Sequence, residues 1–168
     1  MKSSNRFALL ATVVVALSSL STAALAATAT GNASATVITP ITITTGATLN
    51  FGTFAPSATA GTIAISTTGV RSASNVAPSG AGTAFGTFTV GGANVGFSIA
   101  APATFSVTGP GPAMVVTLSG LGNGAGTTGT ISGGSVIVPF GGSMAVGTSA
   151  VQTAGAYSGT FSMVVEYN

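Results

Sequence analysis

The stretch Phe85-Gly86-Thr87-Phe88-Thr89-Val90-Gly91-Gly92-Ala93-Asn94-Val95-Gly96-Phe97-Ser98-Ile99 decides the fold class. Two runs alternate apolar with small or polar residues, as a half-buried strand must. Between them, Gly91-Gly92 supplies the backbone freedom of a turn. The same unit recurs outward in both directions. Thr62-Ile63-Ala64-Ile65-Ser66, Thr104-Phe105-Ser106-Val107, Met114-Val115-Val116-Thr117-Leu118 and Ser135-Val136-Ile137-Val138 alternate likewise. Turn signals separate them at Ser79-Gly80, Gly109-Pro110-Gly111-Pro112, Gly133-Gly134 and Gly141-Gly142. Many short strands at this spacing predict an all-β chain, a sandwich or barrel. Gly120 to Gly134 reads as a long hairpin loop or a loose edge. No stretch has a sustained helical period, and no fixed-period repeat suggests a solenoid.

The two ends carry the longest alternation. From Ala27 the odd positions are Ala27, Ala29, Gly31, Ala33, Ala35 and Val37, and the even ones are Thr28, Thr30, Asn32, Ser34 and Thr36. Pro40 interrupts this run before Ile41-Thr42-Ile43-Thr44. At the other end Phe161, Met163, Val165 and Tyr167 alternate with Thr160, Ser162, Val164 and Glu166. The pattern predicts a chain that opens and closes with long strands, the last over Tyr157 to Tyr167.

The first residues have the order of a secretory signal peptide. Lys2 and Arg6 precede the apolar run Phe7 to Leu20, and Ala24-Leu25-Ala26 has the small-x-small form of a cleavage site. The apolar run is shorter than the roughly 20 residues of a membrane-spanning helix. Cleavage is expected between Ala26 and Ala27, and an uncleaved anchor is the alternative. The organisation that follows is 1–26 signal peptide, 27–37 N-terminal extension and 38–168 folded domain. The expected location is the periplasm and then the cell surface.

Cleavage leaves Arg71 and Glu166 as the only charged side chains, for a formal net charge of 1 − 1 = 0. A nucleic-acid binder needs several cationic contacts with phosphates, so no nucleic-acid partner is expected. With no Cys, the exported chain has no disulfide to hold it. Thr, Ser, Gly and Ala must cover the outside. A surface with almost no charge favours association.

Catalytic chemistry lacks its parts. The chain has no His and no Cys, and Glu166 is its one acidic side chain. No Ser-His-Asp arrangement, carboxylate pair, zinc site or acidic calcium site can be assembled from these residues. Gly120-Leu121-Gly122-Asn123-Gly124 matches no phosphate-loop pattern. Asn32-Ala33-Ser34 fits a glycosylation sequon and is read as coincidence. No enzyme activity, cofactor, metal or small-molecule substrate is expected.

Several segments resemble a widespread bacterial secreted family catalogued as a domain of unknown function. They are Ala35 to Ile43, Leu49-Asn50-Phe51-Gly52-Thr53-Phe54, Gly69-Val70-Arg71, the Gly133-Gly134 region and Ala154 to Phe161. A second likeness lies at the C-terminus. Tyr167 is penultimate and Gly155 is fourteenth from the end (168 − 155 + 1), with Phe161, Met163 and Val165 alternating between them. This is similar to the C-terminal motif of chaperone–usher pilins. That resemblance implies an immunoglobulin-like β-sandwich whose last strand borders a groove. A periplasmic chaperone and an outer-membrane usher would handle the subunit, and the groove would accept a neighbour's N-terminal strand. This chain departs from that family in lacking a cysteine pair and in having an alanine-rich extension.

The expectation is therefore a structural subunit of a bacterial surface filament, a homopolymer held by strand pairing between copies. The candidate pairing residues are Ala29, Gly31, Ala33, Ala35 and Val37 on the extension, and Gly155, Phe161, Met163, Val165 and Tyr167 at the other end. The alternative is a monomeric secreted or surface adhesin-like binding module. An ice-binding or matrix role would need regular Thr arrays, which are only scattered here. A Gln/Asn-rich amyloid repeat is absent, since Gln152 is the only glutamine.

Overall fold

The structure, a computed structural model, describes residues 26–121 and 127–168. These residues belong to two units, 26–36 and 37–168, each taken by itself. The signal peptide expected over 1–26 lies, except for Ala26, outside the described residues. In the first unit, residues 26–36 form no strand and all are exposed.

The second unit is all-β, with twelve strands and no helix among the described residues. In chain order these are β1 (Thr42–Thr45), β2 (Thr53–Pro56), β3 (Gly61–Ile65), β4 (Arg71–Ser74), β5 (Val76–Ser79) and β6 (Gly86–Gly91). They continue as β7 (Gly96–Ala100), β8 (Thr104–Val107), β9 (Met114–Ser119), β10 (Thr127–Thr130), β11 (Ser135–Val146) and β12 (Val164–Tyr167). Every ladder is antiparallel. β10-β7-β12 form one sheet and β2-β5 a second. The rest join through β11, whose neighbours are β6, β3 and β9.

β11 can serve three neighbours because it changes partners midway. Its first half, Ser135 to Phe140, pairs with β6. Its second half pairs with β9 from Gly141 and with β3 from Gly142. Gly141-Gly142 therefore lies inside a strand, where the sequence had suggested a turn. Close backbone approach is the physical reason. A Cβ on Gly141 would run into the Ile65 carbonyl oxygen, and one on Gly142 would lie 3.1 Å from the Thr117 carbonyl oxygen. Glycine within a strand marks such approaches as well as turns.

Pro139, in the same strand, is tolerated for a related reason. Opposite it, Thr87 donates its main-chain N–H to Ala47 and accepts from Gly46, so both groups face β1's side. In an antiparallel ladder this makes Thr87 and Pro139 a non-hydrogen-bonded pair. The proline nitrogen then points away from β6, and the ladder loses nothing.

Two apolar clusters fill a sandwich-like interior. In the first, Val90, Val138 and Phe140 from β6 and β11 meet Phe97 and Ile99 from β7. The Phe88 and Phe140 rings stack at 4.9 Å between centroids. The second cluster gathers Ile63, Val116, Met144 and Val146 from β3, β9 and β11 with Val76 from β5. Leu49 and Phe105 touch both, so the interior is continuous. Burial of these side chains at about 25 cal/mol per Å² of apolar surface is the main force available to a chain with no disulfide.

The long closing strand expected over Tyr157 to Tyr167 is shorter as a ladder, Val164–Tyr167, although its side chains alternate as foreseen. Ser158 makes an isolated bridge to Thr108, and residues 159–163 have no main-chain partner among the described residues. The Gly120 to Gly134 stretch contains β10, which borders β7 at the sheet's edge.

Candidate functional site

The C-terminal residues singled out by sequence come together on one inward face. Phe161, Met163, Val165 and Tyr167 are half-buried against the first cluster, and Ser162, Val164 and Glu166 are exposed. Phe161 is the aromatic hub. Its ring lies 4.9 Å from Phe105, 5.5 Å from Phe140 and 6.1 Å from Phe88, the last two edge-on. Those separations and tilts are favourable for aromatic pairs. Tyr167 closes the segment with two hydrogen bonds. Its hydroxyl accepts from the Ala93 main-chain N–H and donates to the Thr39 carbonyl.

Gly155 sits away from that face, in the wall of a cleft. A positive φ of 146° and the ring of Pro110, 2.6 Å from where a Cβ would stand, both demand glycine there. The cleft has a volume of about 870 Å³. One wall is the run 48–56, which holds Leu49, Phe51 and Phe54. The other is 152–159, which holds Gln152, Gly155 and Tyr157. Phe105 and the buried Val107, Met114 and Met144 form its floor, so the cleft lies directly over the second apolar cluster. No charged side chain lines it.

The walls of this cleft are edges. β2 pairs with β5 on one side only. Across the gap, Tyr157 fixes its own segment by donating its hydroxyl to the Thr153 carbonyl at 2.8 Å. Next along the chain, Ser158 exchanges both main-chain hydrogen bonds with Thr108. Residues 153–157 make no main-chain-to-main-chain hydrogen bond among the described residues. Sequence reasoning missed this cleft. The signal was the aromatic-rich run Leu49 to Phe54, but a spacing alone does not say which side of a strand stays uncovered.

The extension candidates Ala29, Gly31, Ala33 and Ala35 are exposed and without secondary structure, and a Cβ on Gly31 would meet nothing within 4 Å. Ala26 and Ala27, at the expected cleavage point, are exposed as well. In the second unit, Val37 is 95% exposed, an unusual position for a branched apolar residue.

The two charged side chains among the described residues do different things. Arg71 lies on the same sheet face as Ile65, its cross-strand partner, and its Nη2 donates to the Gly80 carbonyl at 3.1 Å. Its Nη1 is buried without a hydrogen-bond partner, beside Gly52. Glu166 is exposed on β12. Among the described residues no group of three or more His, Cys, Asp or Glu side chains gathers.

The chain belongs to the family described as a domain of unknown function, DUF4402, whose pattern matches residues 41–167. The match begins just after Pro40, so it spans the β-rich domain and leaves the extension outside. No curated protein and no solved structure matches the chain.

Proposed function

We propose that this chain is a structural subunit of a bacterial surface filament, exported through a cleaved signal peptide and assembled by β-strand pairing between copies. Its domain is read as an immunoglobulin-like, pilin-like variant of the sandwich. The observation that carries the reading is the pairing deficit of the C-terminal segment. Its alternating residues point inward like those of a strand, yet 153–157 and 159–163 lack a main-chain ladder among the described residues. Exposed unpaired edges are sticky, and natural sheets normally guard them with charge or proline. This edge has Glu166 alone near its end.

Residues 27–37 have the complementary property. They alternate strictly, are uncharged and form no strand of their own. Added to a neighbour's edge, such a segment gains main-chain hydrogen bonds that it cannot make alone. Handling by a periplasmic chaperone and an outer-membrane usher follows from the pilin-like C-terminus, in which Gly155 and Tyr167 hold the two motif positions. The cleft also favours a second reading, a monomeric secreted or adhesin-like binding module, because aromatic-lined concavities hold ligands.

Material sheared from producing cells tests both export and assembly. Filaments labelled by an antibody to this chain are expected in negative-stain images. The intact mass of the subunit should correspond to a start within two residues of Ala27. A mature protein that keeps Lys2, or surface material with no labelled filaments, would contradict the proposal.

A further inference from the structure

We infer that the cleft between 48–56 and 152–159 is a binding site for a small, uncharged and mainly apolar molecule. This rests on the reading of the cleft as a ligand site and names the class of ligand. The first support is the way the walls are held. The wall 48–56 bends at Gly52, whose φ is 74°. Just before the bend, Asn50 exchanges both main-chain hydrogen bonds with Ala84, and its Oδ1 accepts the Gly52 N–H at 2.8 Å. In the other wall, Gln152 donates its Nε2 to the Pro112 carbonyl at 3.1 Å, and Gly155 packs on Pro110. Each wall is thus fixed by its own contacts. A cleft shaped in advance spares its ligand the cost of ordering it. Its volume of about 870 Å³ lies in the ~300–1,000 Å³ range of small-molecule sites.

The second support is the chemistry of the lining. The floor of Phe105, Val107, Met114 and Met144 presents no polar side chain, and the half-buried rings of Phe51, Phe54 and Tyr157 stand in the walls. The longer polar side chains are turned to their own main chain: Gln152 to Pro112, Asn50 to Gly52 and Tyr157 to Thr153. A polyhydroxylated ligand would bring hydroxyls over a floor that cannot replace their water, which is costly. An apolar body loses nothing there and gains by leaving water. The flexible thioethers of Met114 and Met144 can adapt to an irregular apolar shape.

Charge then selects among apolar ligands. No Lys, Arg, Asp or Glu lines the cleft, so an ionised group buried there would meet no counter-charge. A neutral polar group fares better. Residues 153–157 make no main-chain-to-main-chain hydrogen bond among the described residues, so their N–H and C=O groups can take a hydroxyl, carbonyl or amide at the ligand's edge.

The methionines allow a direct test. In a chain that starts at Ala27 they are Met114 and Met144, in the cleft floor, and Met163, outside it against the first apolar cluster. Their isotope-labelled methyl groups are followed by NMR in the soluble mature chain while N-phenylnaphthylamine, an uncharged aromatic probe, is added. Its sulfonated analogue, anilinonaphthalene sulfonate, and maltose are added to separate samples. Phenylnaphthylamine is expected to shift Met114 and Met144 saturably and to leave Met163 in place. The other two probes are expected to shift none of them at the same concentration. Ala55→Trp, at an exposed position in the wall, should weaken binding by about tenfold or more by taking up ligand space. Ile137→Trp, exposed outside the cleft, should leave it unchanged, and thermal melts check that both variants fold. Shifts at Met163 alone, or undiminished binding by folded Ala55→Trp protein, would place the site elsewhere and overturn the inference. Equal binding of the sulfonate or of maltose at Met114 and Met144 would overturn the ligand class and leave the ligand-site reading standing. No shift with any of the three probes would overturn the ligand site itself.

Discussion

Tyr167 holds Thr39: the penultimate side chain donates its hydroxyl to a carbonyl 128 positions earlier, at 2.7 Å, and accepts the Ala93 N–H at the same distance. One phenol thus fastens the start of the domain, its end and the turn after β6. The contact fixes where the chain leaves the domain on its N-terminal side, one residue before Pro40.

Removing that hydroxyl separates the latch from the packing. Tyr167→Phe keeps the ring against the first apolar cluster and leaves the Ala93 N–H and the Thr39 carbonyl without their partner. Orphaning a part-buried group costs about 1–3 kcal/mol. The urea midpoint should fall by the corresponding amount with the slope unchanged. An unchanged midpoint would show that water replaces the hydroxyl at no cost.

Gly86 faces Phe140 across the β6–β11 ladder so closely that a Cβ would enter the ring. The Phe140 ring is itself fixed between Phe88 and Phe161. Gly86→Ala is therefore expected to lose about 1–3 kcal/mol through overpacking, read as a lower thermal midpoint. Gly133→Ala strains only a turn with open space around it, and should cost less. An unchanged midpoint in Gly86→Ala would mean that the Phe140 ring moves aside at no cost.

Charge is almost absent from the described residues, so self-association should not respond to salt. Screening acts on charges, and Arg71 and Glu166 are the only charged side chains among the described residues. Sedimentation at low and high ionic strength should give the same size distribution. A strictly monomeric protein at high concentration in both would favour the binding-module reading. In a chain that starts at Ala27, Arg71 is the one tryptic site. With its guanidinium tied to Gly80, native protein should resist trypsin and unfolded protein should yield two fragments.

Strand positions were legible because alternation is a local property. The runs at 62–66, 85–90, 95–99, 104–107, 114–118 and 135–138 all fall on observed strands, within a residue or two at their ends except where β11 runs on to Val146. The side-chain face of Phe161, Met163, Val165 and Tyr167 was legible for the same reason. What alternation cannot give is the partner. It did not distinguish β12, which finds β7, from residues 159–163, which find no main-chain partner among the described residues. Nor did it foresee Gly141-Gly142 inside a strand, because crowding by Ile65 and Thr117 is set by residues far away in sequence. The short strands β2, β4 and β5 carry Pro, Ser and Ala, so their composition gave no signal. With them went the cleft that β2 borders.

Deletion of residues 27–36 from the mature chain tests the central claim most directly. The shortened protein keeps every strand of the domain, since the first begins at Thr42. It is expected to stay folded and soluble, to form no filaments, and to bind a synthetic peptide of residues 27–37 that the full-length filament does not take up. A shortened chain that still assembles normal filaments would contradict strand exchange through this segment.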